Sequence, residues 1–301
     1  MRAEHKKKMR VYWTVTLIPV AAALLFSVLY PLIRGRDYLR RITYPAENAG
    51  TAQAEENLTV WFFDVGQADA SLVRTPDDKY LLFDAGSDES ENFLAACLKD
   101  LGVKEIEAMF LSHEHEDHIG GADRIIREFN VKSVIMNRYP ADSVPVEKLA
   151  RAIVDRGMVL SLPDNGEIFS YGDVAVLVML PIADGEENDA SAVYRLAYGN
   201  IAILYTGDAE EEAENRLLTD FPLFLQSNIL KVGHHGSSTS TTEAFLSAAA
   251  PDYAVISCGK ANEYGHPDRV VLERLEKAGC SVTRTDLDGT VVFRTDGNLL
   301  Y

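Results

Sequence analysis

Six side chains able to coordinate a cation are packed into the eleven residues L-S-H-E-H-E-D-H-I-G-G at 111–121. The chain has seven histidines, and His113, His115 and His118 fall within six residues of one another. Imidazole and carboxylate ligands suit zinc, and also manganese or iron. His113 and His115, two apart on an irregular segment, can turn to one centre. Asp117 and His118 can turn to a second centre close by. A lone histidine is an ordinary surface or core residue, and His5 is read that way. The pattern H-x-H-x-D-H is read as a metal site, with Glu114 and Glu116 expected to be solvated and non-coordinating.

Further groups share one kind of position. Asp84 closes the apolar run "YLLFDAG", Asp208 closes "IAILYTGD", His234 and His235 close "ILKVGHH", and His266 follows "YAVISCG". All lie just beyond the carboxyl ends of predicted strands, where α/β folds place ligand sites. Asp208 would supply an anionic oxygen able to bridge two cations, and a pair of divalent ions can clamp both oxygens of a phosphoryl displacement. Taken singly, Gly207-Asp208 and His266-Pro267 are only turns. The acid run "DAEEEAE" at 208–214 reads as a helix start that suits the helix dipole, with only Asp208 functional.

The elements that must position these groups can be read from 58 onward. Strands are predicted at "LTVWFFDV", "ASLVRT", "KYLLFDAG", "IEAMFLS", "VKSVIMN" and "MVLSL", with helices near 91–101, 121–129 and 146–156. Then "EIFSYG", "VAVLVMLP", "SAVYRLAYG" and "IAILYTGD" run as successive strands. Helices near 210–219, 242–249 and 268–278 alternate with "NILKVGHH" and "DYAVISCG" before two last strands, "SVTRTD" and "TVVFRTD". Two such halves imply two sheets packed face to face with helices outside, in one domain over 58–301. Cys258 and Cys280 fall at opposite ends of neighbouring strands if these are parallel, so no disulfide is expected between them.

Charge divides the chain. Residues 1–41 carry nine Lys and Arg against Glu4 and Asp37, whereas the remainder carries 20 basic and 44 acidic residues. Residues 11–33, "VYWTVTLIPVAAALLFSVLYPLI", hold no charge and are long enough to cross a bilayer core of about 30 Å. The reading is a basic cytoplasmic head at 1–10, a transmembrane signal anchor at 11–33, a linker at 34–57 and an external catalytic body. A secreted protein is the alternative if the anchor is cleaved. The acidic body should repel polyanions, and only Lys231, Lys260 and Arg269 offer basic charge near the site.

The motifs together resemble the metallo-β-lactamase superfamily. They are more closely similar to the hydrolase domain of the ComEC/Rec2 DNA-uptake proteins and its free-standing relatives. The residues that carry this are "FFDVGQADA" (62–70), "LLFDAGS" (81–87), "LSHEHEDHIGG", "NDASAV" (188–193), "LYTGDAEEEAE" (204–214), "LKVGHHGSSTST" (230–241) and "SCGKANEYGHP" (257–267). The resemblance implies an αββα sandwich with two divalent metal ions at one edge, zinc first and manganese as the alternative. It implies that His113 and His115 bind the first ion, that Asp117, His118 and His266 bind the second, and that Asp208 bridges them. It implies that Asp84 orients a ligand. Asn188 and Ser191 stand where other branches carry a further histidine, which counts against a β-lactam or thioester substrate. One of His234 and His235 is expected to protonate a leaving oxygen, beside Asp117 in the catalytic set.

The function expected is a membrane-anchored, extracytoplasmic, metal-dependent phosphodiesterase acting on a small or cell-wall phosphodiester. A nuclease serving DNA uptake is the alternative, with nucleic acid the less favoured partner. β-Lactam hydrolysis and a non-catalytic binding module rank below it.

Overall fold

The computed structural model describes residues 57–137, 143–182 and 188–301. The expected span at 11–33, with its basic head and most of the linker, lies outside the described residues. No helix among the described residues is long and apolar enough to cross a membrane.

The first half begins with an antiparallel meander of β1 (Leu58–Phe62), β2 (Ser71–Arg74) and β3 (Tyr80–Phe83). α1 (Glu91–Asp100) leads to β4 (Glu105–Ile106) and β5 (Ala108–Leu111), so the run "IEAMFLS" is broken at Glu107 into two short strands. α2 (Glu116–Ile119) and α3 (Ala122–Glu128) follow, then β6 (Asn130–Val131) and β7 (Val134–Met136). α4 (Val144–Asp155) starts where Ser143 accepts a hydrogen bond from the Val146 amide, a cap that satisfies one of the free N–H groups of the first turn. β8 (Leu160–Ser161) ends this half.

The second half opens with four antiparallel strands, β9 (Ile168–Tyr171), β10 (Val174–Met179), β11 (Val193–Tyr198) and β12 (Ile201–Tyr205). α5 (Glu211–Asp220), α6 (Glu243–Ala249) and α7 (Arg269–Ala278) then alternate with the parallel strands β13 (Ile229–Lys231), β14 (Tyr253–Ile256) and β15 (Ser281–Arg284). α8 (Thr285–Asp288) turns the chain into β16 (Val291–Thr295), which leaves this half and pairs with β1. The β14–β15 register sets Tyr253 beside Ser281 and Ile256 beside Arg284, which puts Cys258 and Cys280 at opposite ends of the two strands.

Two seven-stranded sheets result, β16-β1-β2-β3-β5-β7-β8 and β15-β14-β13-β12-β11-β10-β9. Their facing surfaces share one apolar layer, and each outer surface is covered by helices. This is the αββα sandwich. The middle layer is aromatic directly beneath the strand ends. Phe83 stacks on Tyr205 at 4.1 Å and on Phe110 at 5.0 Å, joining β3 and β5 to β12 across the sheets. Just past each of these rings stands a group with coordinating chemistry: Asp84, His113 and Asp208. Gly207 lets the sheets close there. A Cβ on it would meet Ser112 Cβ at 2.7 Å, and its φ of +53° is one that larger residues rarely adopt.

The loop after the two adjacent histidines is tied down by a buried acid. Glu214 on α5 accepts hydrogen bonds from the amides of Thr241 and Thr242, and the Thr242 hydroxyl caps α6. Burial pushes the Glu214 carboxyl up to about 7 despite those bonds. A carboxyl raised in the folded state opposes folding once it must ionise, so stability should fall as pH rises from the ordinary glutamate range to about 7. The full shift is worth on the order of 3 kcal/mol. Chemical denaturation at pH 4.5, 6 and 7.5 should show this slope, and Glu214→Gln should flatten it.

Candidate metal centre

The site is assembled at the carboxyl ends of strands from both sheets. β3 and β5 run parallel with Phe83 beside Phe110, which sets Asp84 next to Ser112. Asp84 Oδ1 accepts from the Ser112 amide at 2.8 Å. Its Oδ2 takes the Ser112 hydroxyl at 2.9 Å and His118 Nδ1 at 2.9 Å. One carboxylate therefore fixes both the start of the metal-binding loop and the ring of a histidine six residues further on. Asp84 holds a φ of +53° to do so, a strained conformation for a non-glycine residue.

His113 is fully buried, and its Nδ1 lies 3.1 Å from Ser112 Oγ and 3.3 Å from Ser191 Oγ. Ser191 Oγ also accepts from the Asp208 amide at 3.1 Å, so one hydroxyl ties the two sheets' contributions together. Burial, with help from neighbouring His118, holds His113 well below the usual histidine range, which keeps its imidazole neutral and fit to ligate. His118 is buried too, and burial alone would lower it, but Asp208, Asp84 and Asp117 outweigh that and hold it well above the ordinary value. Asp208 shows the complementary effect, with burial opposed by His118 and His235 and the carboxylate kept ionised.

Among the buried atoms without a hydrogen-bond partner here are His113 Nε2, His118 Nε2 and Asp208 Oδ1. The last two are 3.1 Å apart without the alignment of a hydrogen bond. Buried polar atoms are otherwise almost always partnered, so three orphans of ligand type mark a place for a cation. Ligand atoms of His113, His115 and Asp208 all lie within 4.8 Å of one another, and so do those of Asp69, His118, Asp208 and His235. The residues present therefore fit a metal, with Asp208 common to both groups.

The structure brings together most of the expected residues and moves some. His113, His115, His118 and Asp208 fall in the two ligand groups, while Asp84 and Ser191 support them from behind. Asp117 is in neither group. Its Oδ2 meets His235 Nε2 at 3.1 Å. His266 is in neither group as well. It faces the His234 ring at 5.7 Å and approaches Gln67 Nε2 with its Nδ1 at 3.5 Å, held in a loop where Asn262 bonds both its amide and its carbonyl. Asn188 bonds Glu210 at 3.0 Å rather than a ligand histidine. Glu114 is 7% exposed, so the expectation of a solvated glutamate is corrected; Glu116 is exposed and accepts from the Asp88 amide.

His234 and His235 differ despite their adjacency. Both adopt left-handed backbone, φ 46° and 52°, between Gly233 and Gly236. His235 is buried, with Nδ1 bonded to the Ser257 carbonyl at 2.9 Å. Burial would depress it, but Asp208 and Asp69 outweigh that and raise it. His234 is partly exposed, with Nδ1 3.0 Å from Glu210 Oε1 and Nε2 3.7 Å from Asp208 Oδ2.

One pair escaped the sequence reading. Asp69, 4% exposed, forms a buried ion pair with Lys231, itself 3% exposed. Asp69 stands 3.7 Å from His118 Nδ1 and 3.8 Å from His235 Nδ1, behind the ligand atoms. Lys231, expected as basic charge for a polyanion, is thus inside the protein and neutralised. The signal was available: each is a single charge inside a short apolar run, "ADA" at 68–70 and "NILKV" at 228–232, and such a charge needs a partner.

A cavity of about 1240 Å³ opens over the centre, lined by His115, Asp117, Asp208, His234, His235 and His266. Asp64, Asp88, Glu89, Glu116 and Glu263 also line it, and no Lys or Arg does so among the described residues.

A strand-end cluster of histidines and aspartates between two sheets, covered by helices, is the arrangement of an αββα fold with a candidate metal centre at the strand ends. The sequence pattern of the metallo-beta-lactamase superfamily matches residues 63–260, and the chain belongs to that superfamily. Within it, the chain belongs to the ComEC/Rec2-like branch. It is 31% identical over 77% of its length to ComE operon protein 3 of Bacillus subtilis, and 32% identical over 79% to competence protein ComA of Neisseria gonorrhoeae. It is 30% identical over 76% to recombination protein 2 of Haemophilus influenzae. The aligned part makes up 32%, 32% and 28% of those proteins, about a third of their length. Among solved structures, the metallo-beta-lactamase fold protein YhfI from Bacillus subtilis superposes with a TM-score of 0.54 at 13% identity, over 80% of this chain and 100% of that one. CmlA, a diiron β-hydroxylase from Streptomyces venezuelae, gives 0.53 at 14% identity, over 81% and 55%. These two share the fold.

Metal content separates the ligand sets. Asp208→Asn and His113→Ala should each lower zinc per chain, measured by elemental analysis after gel filtration. Asp84→Asn should weaken metal affinity about 10- to 100-fold. His266→Ala should leave zinc content unchanged; loss of an ion in that variant would restore His266 to the ligands.

Proposed function

We propose that this chain is a membrane-anchored, extracytoplasmic phosphodiesterase that uses two divalent ions, zinc first and manganese as the alternative. The observation that carries the reading is the convergence of His113 Nε2, His118 Nε2 and Asp208 Oδ1, all buried and without hydrogen-bond partners, under an open cavity. Ions held there would supply positive charge to the phosphoryl oxygens and an activated water.

The chain's own groups complete the chemistry. Asp84 and Ser191 hold the rings of His118 and His113 by their Nδ1 atoms, which leaves both Nε2 atoms directed at the centre. His235 lines the cavity too, but both of its ring nitrogens are occupied, by the Ser257 carbonyl and by Asp117, which suits a ligand or positioning role. His234 is the better proton donor. Thr239 Oγ1 bonds its Nδ1 at 3.4 Å with Glu210 Oε1 3.0 Å from the same nitrogen, and Nε2 remains on the cavity side to pass a proton to a departing oxygen. The expectation that either histidine could serve therefore narrows to His234.

The cavity's acidic lining and the burial of Lys231 support a small or wall-attached phosphodiester rather than a long polyanion. The nuclease reading draws on the relatives, which are competence and recombination proteins.

Two measurements test this. Bis(p-nitrophenyl) phosphate should be hydrolysed by the zinc- or manganese-loaded chain and long duplex DNA cut poorly at low salt; efficient cutting abolished by His115→Ala would put the nuclease first. His234→Ala should keep its metals and slow an alkyl diester by about 10²- to 10⁴-fold, with a smaller loss for p-nitrophenyl esters that need little protonation. Equal losses on both substrates would sink the donor role.

A further inference from the structure

Arg195 sits in the middle of β11 and is 8% exposed. Among the described residues no carboxylate pairs with it. Its Nε and Nη2 both donate to one backbone carbonyl, that of Gln226, each at 3.3 Å. Its Nη1 is buried with no partner. Burying a guanidinium without an opposite charge is costly, and folded proteins avoid it unless something answers the charge. Burial lowers Arg195 only to about 10, so it remains a cation at neutral pH.

Arg195 lines a cavity of about 490 Å³. Ser227 lines the same cavity, is 4% exposed, and its hydroxyl likewise lacks a partner. Of the other polar side chains in the lining, Asn200 bonds Asn298, Asn228 bonds Asp252, and Gln226 is exposed. Asp252 is exposed and keeps to that bond, so it does not neutralise the guanidinium. Leu223, Ile201 and Ala250 supply apolar wall. The place is remote from the metal centre by topology. The β11–β12 hairpin at Gly199 and Asn200 lies at the amino end of β12, whereas Asp208 lies beyond its carboxyl end.

We propose that this cavity is a second ligand site, for a small organic oxyanion, a carboxylate or a phosphate. The guanidinium plane is fixed by the Gln226 carbonyl, and Nη1 and the Ser227 hydroxyl, both buried in residues of the cavity wall, are donors left without a partner. Guanidinium edges match the paired oxygens of both anion types. The apolar wall takes the body of the molecule, in the manner of pockets with a few placed polar groups. The site owes nothing to the ions at the strand ends, so it stands or falls separately from the phosphodiesterase reading.

Thermal unfolding of the full chain, kept in EDTA so that no metal draws the anion, tests the site. Inorganic phosphate and benzoate are each titrated against chloride at equal ionic strength. The unfolding midpoint should rise with at least one of them and saturate, because a ligand that binds only the folded state stabilises it. A response to one alone identifies the head group. Arg195→Met should abolish the response while folding at least as well, since it removes a buried unpaired charge. Ser227→Ala should weaken it, and His115→Ala should retain it. Midpoints that follow chloride throughout, or a response that survives in Arg195→Met, would overturn the site.

Discussion

Four aspartates, Asp69, Asp84, Asp117 and Asp208, converge on one end of the sandwich, and three of them are buried. That concentration of negative charge in a poorly hydrated place is the constraint from which the rest of the site follows. Each carboxylate is answered by a particular cation or donor. Lys231 answers Asp69, His118 lies between Asp84 and Asp208, and His235 meets Asp117. The balance explains why His118 and His235 are raised while His113, which no carboxylate touches directly, stays neutral. His113, His118 and Asp208 would hold a divalent ion here, and it would supply the positive charge that these carboxylates favour.

The fold holds these charges in place through packing rather than through the charges themselves. Phe83, Phe110 and Tyr205 stack across the middle layer just before the chain reaches Asp84, His113 and Asp208. Their positions fix where three strands end, and Gly207 permits the ends to approach within contact of Ser112. Aromatic stacking and one absent Cβ thus decide the distance between the two halves of the centre.

Much of this was legible in the sequence. Strand positions followed from apolar runs closed by Gly and Asp, and helices from periodic apolar faces such as that of α7. His113, His115 and His118 were singled out by the H-x-H-x-D-H spacing and Asp208 by its place at a strand end, and their ligand atoms fall into the two clusters at the strand ends. What was not legible depends on which way a loop turns. The left-handed turn at 233–236 sends His235 inward to Ser257 and leaves His234 beside Glu210, a difference that two adjacent identical residues cannot display in sequence. His266 was assigned to the second ion by resemblance; its loop is bonded by Asn262, its ring approaches Gln67 and faces His234, contacts that no spacing in the sequence announces. Glu114 looked solvated because it is charged, and it is buried because β5 enters the core immediately before it.

The return of β16 to β1 sets Leu58 opposite Thr295. The folded unit is therefore gripped by neighbouring strands at both of its extremities, and the polypeptide joins and leaves it on one side. A body built this way can hang from a single stalk or be spliced as a cassette into a longer polypeptide with little disturbance, because both junctions share one doorway. The candidate centre lies among the β3, β5 and β12 strand ends, so lengthening or exchanging what is attached at that doorway alters reach and placement without touching the clustered histidines and aspartates.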